Sequence, residues 1–380
     1  MAATSRSRVG SLGAPWIFRR ARPRASSEVE KLERPLEPGV ASVQATGYAK
    51  FVVATVGACL ALLAATLTLN VLVDPFAIDG IGLLPTAVEA DRSIKLNLIG
   101  HLEQSPEIVI LGSSRARQAE PSFLTQITGE TAFNGAVTGG TAADAWVMAR
   151  YVTDRFPREP HHYLWFVDAG IATKGINPQL AQDPRAKRYL AGKSVDFTLA
   201  DVGTYIGPQA SLASWRVLEK CVLHACKARL RYLPDGAIAR PTLKYLPEHA
   251  ASLENSVSHL VDAVRRHPPR EPNTNPERYR FFERAIAFMN ARGIRPVIVL
   301  NPIHPRVLAE LRRHGFAQRK ASLAYLHALH RRYDFVVVDG EDISRWGGSP
   351  QEFTNATHVN RLNMRRLLRH IVAHSDGALR

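Results

Sequence analysis

The chain predicts a parallel α/β fold, and three observations carry that expectation. Short apolar runs at 107–111, 131–134, 162–167, 295–300 and 334–338 read as buried strands. Helical stretches near 142–155, 277–292, 306–332 and 359–373 alternate with them. Glycine and polar residues collect just after each apolar run, where a parallel sheet gathers its ligand-binding groups. Strands buried on both faces and separated by helices require a sheet covered on both sides, so the expected architecture is a flavodoxin-like, three-layer α/β sandwich.

The N-terminal part reads differently. Residues 51–73 form 23 consecutive positions without a charge. At about 1.5 Å per residue such a helix is about 34 Å long, enough for a bilayer core. A cleaved signal peptide has a shorter apolar core and a short basic start. Here fifty residues precede the run, so it is expected to be an uncleaved signal anchor. Residues 1–50 carry nine Lys/Arg against four Glu, which places that arm in the cytoplasm and everything after about residue 74 outside it. The arm is rich in Arg, Ser, Pro and Ala and is expected to be disordered. A connector with a short helix over 93–101 follows the anchor, and the exported domain runs over 77–380. Residues 177–275 do not fit the strand–helix alternation and read as an insertion after the third strand with helical pieces such as 212–231.

Formal net charge is +15, from 49 basic and 34 acidic side chains. This suits contact with anionic material, either a phospholipid surface or an acidic polymer. There is no zinc-finger spacing and no RNA-recognition signature, so no nucleic-acid partner is expected. Of three cysteines, Cys59 lies in the apolar run, and Cys221 and Cys226 point to different faces of any continuous helix, so pairing them requires that helix to break. No metal-ligand spacing is present, and no metal or cofactor is implied.

The residues after the strands have the types that acyl-group chemistry demands. Gly112-Ser113-Ser114-Arg115 follows the first run, and Asn134-Gly135-Ala136-Val137-Thr138-Gly139-Gly140-Thr141 closes the second and continues past it. Asp168-Ala169-Gly170 follows the third, Asn301-Pro302-Ile303-His304-Pro305 the fourth, and Asp339 and Asp342 the fifth. His358, in Asn355-Ala356-Thr357-His358, is expected at the start of the last helix. A serine hydroxyl is a weak nucleophile and needs a base within hydrogen-bond reach. An imidazole serves that role near neutral pH, and a carboxylate or amide fixes its tautomer. The oxyanion of the tetrahedral intermediate needs fixed N–H donors. Arg115 is a candidate for an acidic substrate, and His304 sits at the same edge.

This set resembles the SGNH/GDSL hydrolase superfamily over about residues 105–176 and 277–375. The resemblance makes Ser114 the nucleophile, His358 the base and Asn355 the residue in the place of the triad carboxylate. It makes the N–H groups of Ser114 and Gly139 the oxyanion donors, and puts Asn134, Asp168, Arg115 and His304 around the substrate. Two departures stand out. Asp168 replaces the third-block stretch that supplies an oxyanion asparagine, and its carboxylate must point elsewhere. Asn355 is an amide, so Asp339 or Asp342 serves as the acid, a Ser-His dyad works alone, or catalysis is lost. The resemblance implies a membrane-anchored serine esterase or O-acyltransferase of the cell envelope, acting on an anionic polysaccharide beside a polytopic membrane acyltransferase. The alternative is a non-catalytic envelope-binding scaffold that keeps the fold.

Overall fold

The computed structural model describes residues 38–77, 83–84, 90–156, 162–168, 175–190, 207–224, 232–239, 247–269 and 276–379. The chain divides into two units, Met1–Ala61 and Leu62–Arg380. Helix α1 spans Pro38–Val73, and its stretch Gly47–Val73 is long and apolar enough to cross a membrane. The expected disordered arm is corrected in part. Residues 38–50 carry one charge and few helix breakers, so the helix begins at Pro38; residues 1–37 lie outside the described residues.

Five parallel strands form one sheet: β1 (Ile108–Leu111), β2 (Ala132–Asn134), β3 (His162–Val167), β4 (Val297–Leu300) and β5 (Val336–Asp339). Their spatial order is β2-β1-β3-β4-β5, the flavodoxin-like order. The register pairs Val109 with Phe133 on one side and with Tyr163 on the other. The chain therefore turns outward from β1 to β2 and then crosses back to β3. That reversal opens a crevice at the carboxyl end of β1.

Both sheet faces are covered. On one lie α3 (Pro121–Thr128), α8 (Pro247–Arg266), α10 (Pro305–Arg313) and α12 (Arg361–Ala373), with Ile108, Ile110, Val297 and Val299 beneath them. On the other lie α2 (Asp91–His101), α4 (Ala142–Arg155), α6 (Pro184–Leu190), α9 (Pro276–Asn290) and α11 (Ala317–His330), over Val109, Leu111, Tyr163 and Trp165. The insertion contributes α5 (Pro178–Gln182), α6, α7 (Pro208–His224), α8 and a turn at 232–238; its other residues lie outside the described set. That turn covers the outer edge of β2, where the Asn134 N–H donates to the Asp235 carbonyl at 2.9 Å.

Three expected boundaries are corrected. The helix expected over 306–332 is two, α10 and α11. Gly315 (φ 78°) and Phe316 (φ 41°) take left-handed backbone between them, and this sends the two helices to opposite faces of the sheet. The last helix starts at Arg361, because the Asn360 side chain accepts from the N–H groups of Leu362 (2.9 Å) and Asn363 (3.1 Å). His358 therefore lies ahead of the helix, in a hairpin of β6 (Phe353–Asn355) and β7 (His358–Val359). Strand β5 starts at Val336 and takes in Asp339. Helix α7 spans Pro208–His224 and carries Cys221, which is disulfide-bonded; residues 225–231, with Cys226 and the end of the expected helix, lie outside the described residues.

Candidate functional site

Gly112 carries the chain out of β1 with φ 149°, and a Cβ there would lie 2.9 Å from the Phe166 carbonyl oxygen. The loop after β2 then closes on the same glycine. The Val137 N–H donates to the Gly112 carbonyl at 3.2 Å, and a Cβ on Gly140 would stand 2.3 Å from that oxygen. Two backbones are thus packed against each other with no room for a side chain. Ser114 stands on one and Gly139 on the other. Among the described residues, neither the Ser114 N–H nor the Gly139 N–H donates a hydrogen bond within the protein. Both donors remain available to an oxyanion.

Across this crevice stands His358. The Ser114 hydroxyl and His358 Nε2 are 2.8 Å apart. On the far side of the ring, His358 Nδ1 is 3.0 Å from Asn355 Oδ1. That oxygen also accepts from the N–H groups of Thr357 (2.9 Å) and His358 (3.0 Å), which settles which amide atom faces the ring. An amide oxygen only accepts, so Nδ1 carries the proton and Nε2 is left as the acceptor for the Ser114 hydroxyl. The Thr357 hydroxyl is 3.0 Å from the same Nδ1 and donates to Asn355 Oδ1 at 3.1 Å. The structure thus brings Ser114, His358 and Asn355 together in that order, with His358 on a hairpin.

Charge pairs hold the two halves together. Glu120, the residue before α3, receives Arg361 and Arg365 from the first turns of α12, the latter at 2.5 Å. This fixes the segment after Ser114 to the segment after His358. The insertion supports the hairpin from the other side, where Ser256 of α8 accepts from the Ala356 N–H at 3.2 Å.

The first turn of α2 holds the loop that bears Gly139. Asp91 accepts from the Thr138 N–H at 2.9 Å and from the Thr138 hydroxyl, with Arg117 at 3.3 Å. Burial opposes ionisation of Asp91, yet the Thr138 hydrogen bonds and the Arg117 charge hold its carboxyl below the usual range. Arg92 donates to Asp144 at 2.6 Å and to the Thr138 carbonyl at 3.2 Å. Lys95 is fully buried, hydrogen-bonded to the Asn134 and Gly236 carbonyls and 4.4 Å from the Tyr232 ring centroid. Burial pulls its ammonium down to about 7, with the Asp91 charge opposing. Sequence reasoning left this helix as a connector. The available signal was the trio Asp91, Arg92 and Lys95, at helical spacing on a short helix that also carries Leu96 and Ile99.

Other expected residues fall elsewhere. Asn134 is corrected from substrate contact to loop splint. It is fully buried, donates to the carbonyls of Ala116 (3.1 Å) and Ala119 (2.7 Å) and accepts from Ala136 N–H (2.9 Å), which leaves nothing for a substrate. His304 is likewise corrected. It is buried, caps α10 by accepting from the Arg306 N–H, and stands edge-on to Phe353 at 5.2 Å. Asp168 turns its carboxylate to Arg115 (3.1 Å) and accepts from Asn301 Nδ2 (2.9 Å); Ala169 and Gly170 lie outside the described residues. The alternative acids are corrected too. Asp339 is taken up by Arg319 (2.8 Å) and Arg345 (3.0 Å), and Asp342 by Arg312 (2.9 Å), while Asn355 faces His358. Among the described residues no group of three or more His, Cys, Asp or Glu is arranged to hold a metal ion.

Burial depresses the His358 imidazolium to about 4, and the charges of Arg115 and Arg117 push the same way against Asp168. No family model and no curated protein matches this chain.

Two outcomes are expected. Gly140→Ala forces apart the backbones that meet at Gly112 and costs about 1–3 kcal/mol in denaturant unfolding. In an NMR titration the His358 ring protonates with a midpoint near 4, so the base is neutral through the physiological range, and Arg115→Gln moves that midpoint upward.

Proposed function

We propose that this protein is a membrane-anchored, SGNH-like serine esterase or O-acyltransferase whose nucleophile is Ser114 and whose base is His358. The observation that carries this reading is the 2.8 Å contact between the Ser114 hydroxyl and His358 Nε2, with Nδ1 held by Asn355. In the reaction, Ser114 Oγ attacks an acyl carbonyl carbon and its proton passes to His358 Nε2. The carbonyl oxygen becomes an oxyanion at the Ser114 and Gly139 N–H groups. Collapse breaks the bond to the leaving oxygen, which takes the proton from His358. Water or an acceptor hydroxyl then gives its proton to His358 as it attacks the acyl carbon; collapse breaks the bond from that carbon to Ser114 Oγ, which takes the proton back from His358.

Arg115 beside the nucleophile and the overall charge of +15 suit an anionic envelope polymer as donor or acceptor. The apolar helix supports attachment to the cytoplasmic membrane, and the basic flank supports an N-terminus in the cytoplasm. The disulfide-bonded state of Cys221 favours a catalytic domain outside the reducing compartment. The family resemblance adds a polytopic membrane acyltransferase as a partner. A second reading, a polymer-binding scaffold without turnover, is favoured by the carboxylate of Asp168 where a neutral amide donor is expected.

A fluorophosphonate probe applied to the full chain separates the two. The catalytic reading expects labelling at Ser114, abolished in Ser114→Ala and reduced at least 100-fold in His358→Ala. Wild-type protein that stays unlabelled supports the scaffold. Asn355→Asp keeps the accepting oxygen, and among the described residues Asn355 Nδ2 donates no hydrogen bond that would be lost. It adds a negative charge beside the ring. The labelling rate is expected to rise, with its acid limb shifted to higher pH.

A further inference from the structure

Helix α7 is joined to the final turns of α1. Asn70 Nδ2 donates to the Ser211 hydroxyl at 3.2 Å, and the Ser214 hydroxyl donates to Asn70 Oδ1 at 2.7 Å. Asn70 and Ser214 are both buried, so this contact is fixed and not a grazing one. Ala210, Ala213, Ser214 and Val217 form the buried stripe of α7, and their small size lets the helix sit close. The opposite face carries Leu212, Trp215, Val222 and Leu223, which are 51%, 63%, 80% and 65% exposed, with the exposed Arg216 and Glu219 among them. Four large apolar side chains on one exposed helix face, one of them a tryptophan, mix with charged ones as in a helix lying at a membrane interface. Leu69 and Leu72 in the same last turns of α1 are exposed too, as is Leu83, whose N–H donates to the Leu72 carbonyl at 2.8 Å.

We propose that α7 is a second membrane contact, with its outward face seated in the interfacial layer of the leaflet where α1 ends. The bilayer is the occupant because α7 is hydrogen-bonded at Asn70 to the last turn of the helix long enough to cross it. Asn70 lies three residues from the end of α1, about 5 Å along the axis. That depth is where tryptophan is favoured in a membrane protein. The exposed Arg216 stands beside the apolar residues, with a side chain long enough to meet lipid headgroups. The contact would hold the catalytic domain against the membrane. The proposal rests on the reading of α1 as a membrane span and is independent of the chemistry at Ser114.

The test uses the full chain with Trp16→Phe, reconstituted in phosphatidylcholine vesicles with and without brominated acyl chains. Emission quenched by brominated lipid is expected, and that component disappears in Trp215→Phe, since Trp146, Trp165 and Trp346 are buried. The double variant Leu212→Glu with Val222→Glu is expected to open Trp215 to aqueous acrylamide while the chain still resists carbonate extraction. A carbonate-resistant chain whose Trp215 is quenched by acrylamide and not by brominated lipid overturns this proposal alone. Trp215 shielded from both quenchers in a chemically crosslinkable dimer assigns the face to a second copy and also overturns it. Release of the wild-type chain by carbonate removes the anchor reading and this proposal together.

Discussion

One hydrogen bond sets the terms for the rest of the molecule. Ser114 and His358 are 244 residues apart in the chain, and their side chains meet at 2.8 Å. Neither residue has local structure that would bring it there. The serine reaches the crevice because β1 lies between β2 and β3, so the chain leaves β1 where strand order reverses. The histidine reaches it because Asn360 delays the last helix and leaves room for a two-strand hairpin. The buried Glu120 then ties the two segments through Arg361 and Arg365. An ion pair that is screened from water keeps its geometry better than an exposed one, so Glu120 sets a position more than it adds stability.

The loop that bears Gly139 is positioned by a different device. Backbone-to-backbone packing at Gly112 and Gly140 sets its distance from Ser114, and the charged turn of α2 sets its orientation through Thr138. Burying Asp91, Arg92 and Lys95 is costly unless each finds partners, and each does so by gripping this loop or the turn beside it. Helix α2, which follows the long apolar helix in the chain, therefore reaches the heart of the candidate site.

The sheet was legible because its signal is local. Val109-Ile110-Leu111 and Val297-Ile298-Val299-Leu300 need burial on both faces, and no tertiary contact overrides that demand. The reactive residues were legible because they follow those strands. The helix break at Gly315 was readable only in part, since Phe316 also takes left-handed backbone, which a bulky residue adopts only when packing compels it. Asn134 and His304 misled for a related reason. Polar residues at a sheet edge either face a ligand or satisfy the loops that form the edge, and sequence does not separate the two. Both turned inward, Asn134 to the carbonyls of Ala116 and Ala119 and His304 to the Arg306 N–H.

The charge around His358 bears on which substrates the proposed acyl transfer would favour. Burial and two nearby arginines disfavour the imidazolium, and Asn355 supplies no charge to offset them. A base in that setting is always ready to accept a proton and holds it poorly once accepted. In the acyl-transfer reading the ion must form as the serine attacks, so negative charge has to come from elsewhere. Asp168 supplies some, though Arg115 already takes its carboxylate. A substrate that brings its own carboxylate or phosphate to Arg115 would neutralise that guanidinium and lift the imidazole pKa at the moment of reaction. A neutral ester bound at the same place would leave the arginine uncompensated. The selectivity for anionic substrates would then appear in kcat as well as in KM, because the substrate charge completes the catalytic electrostatics.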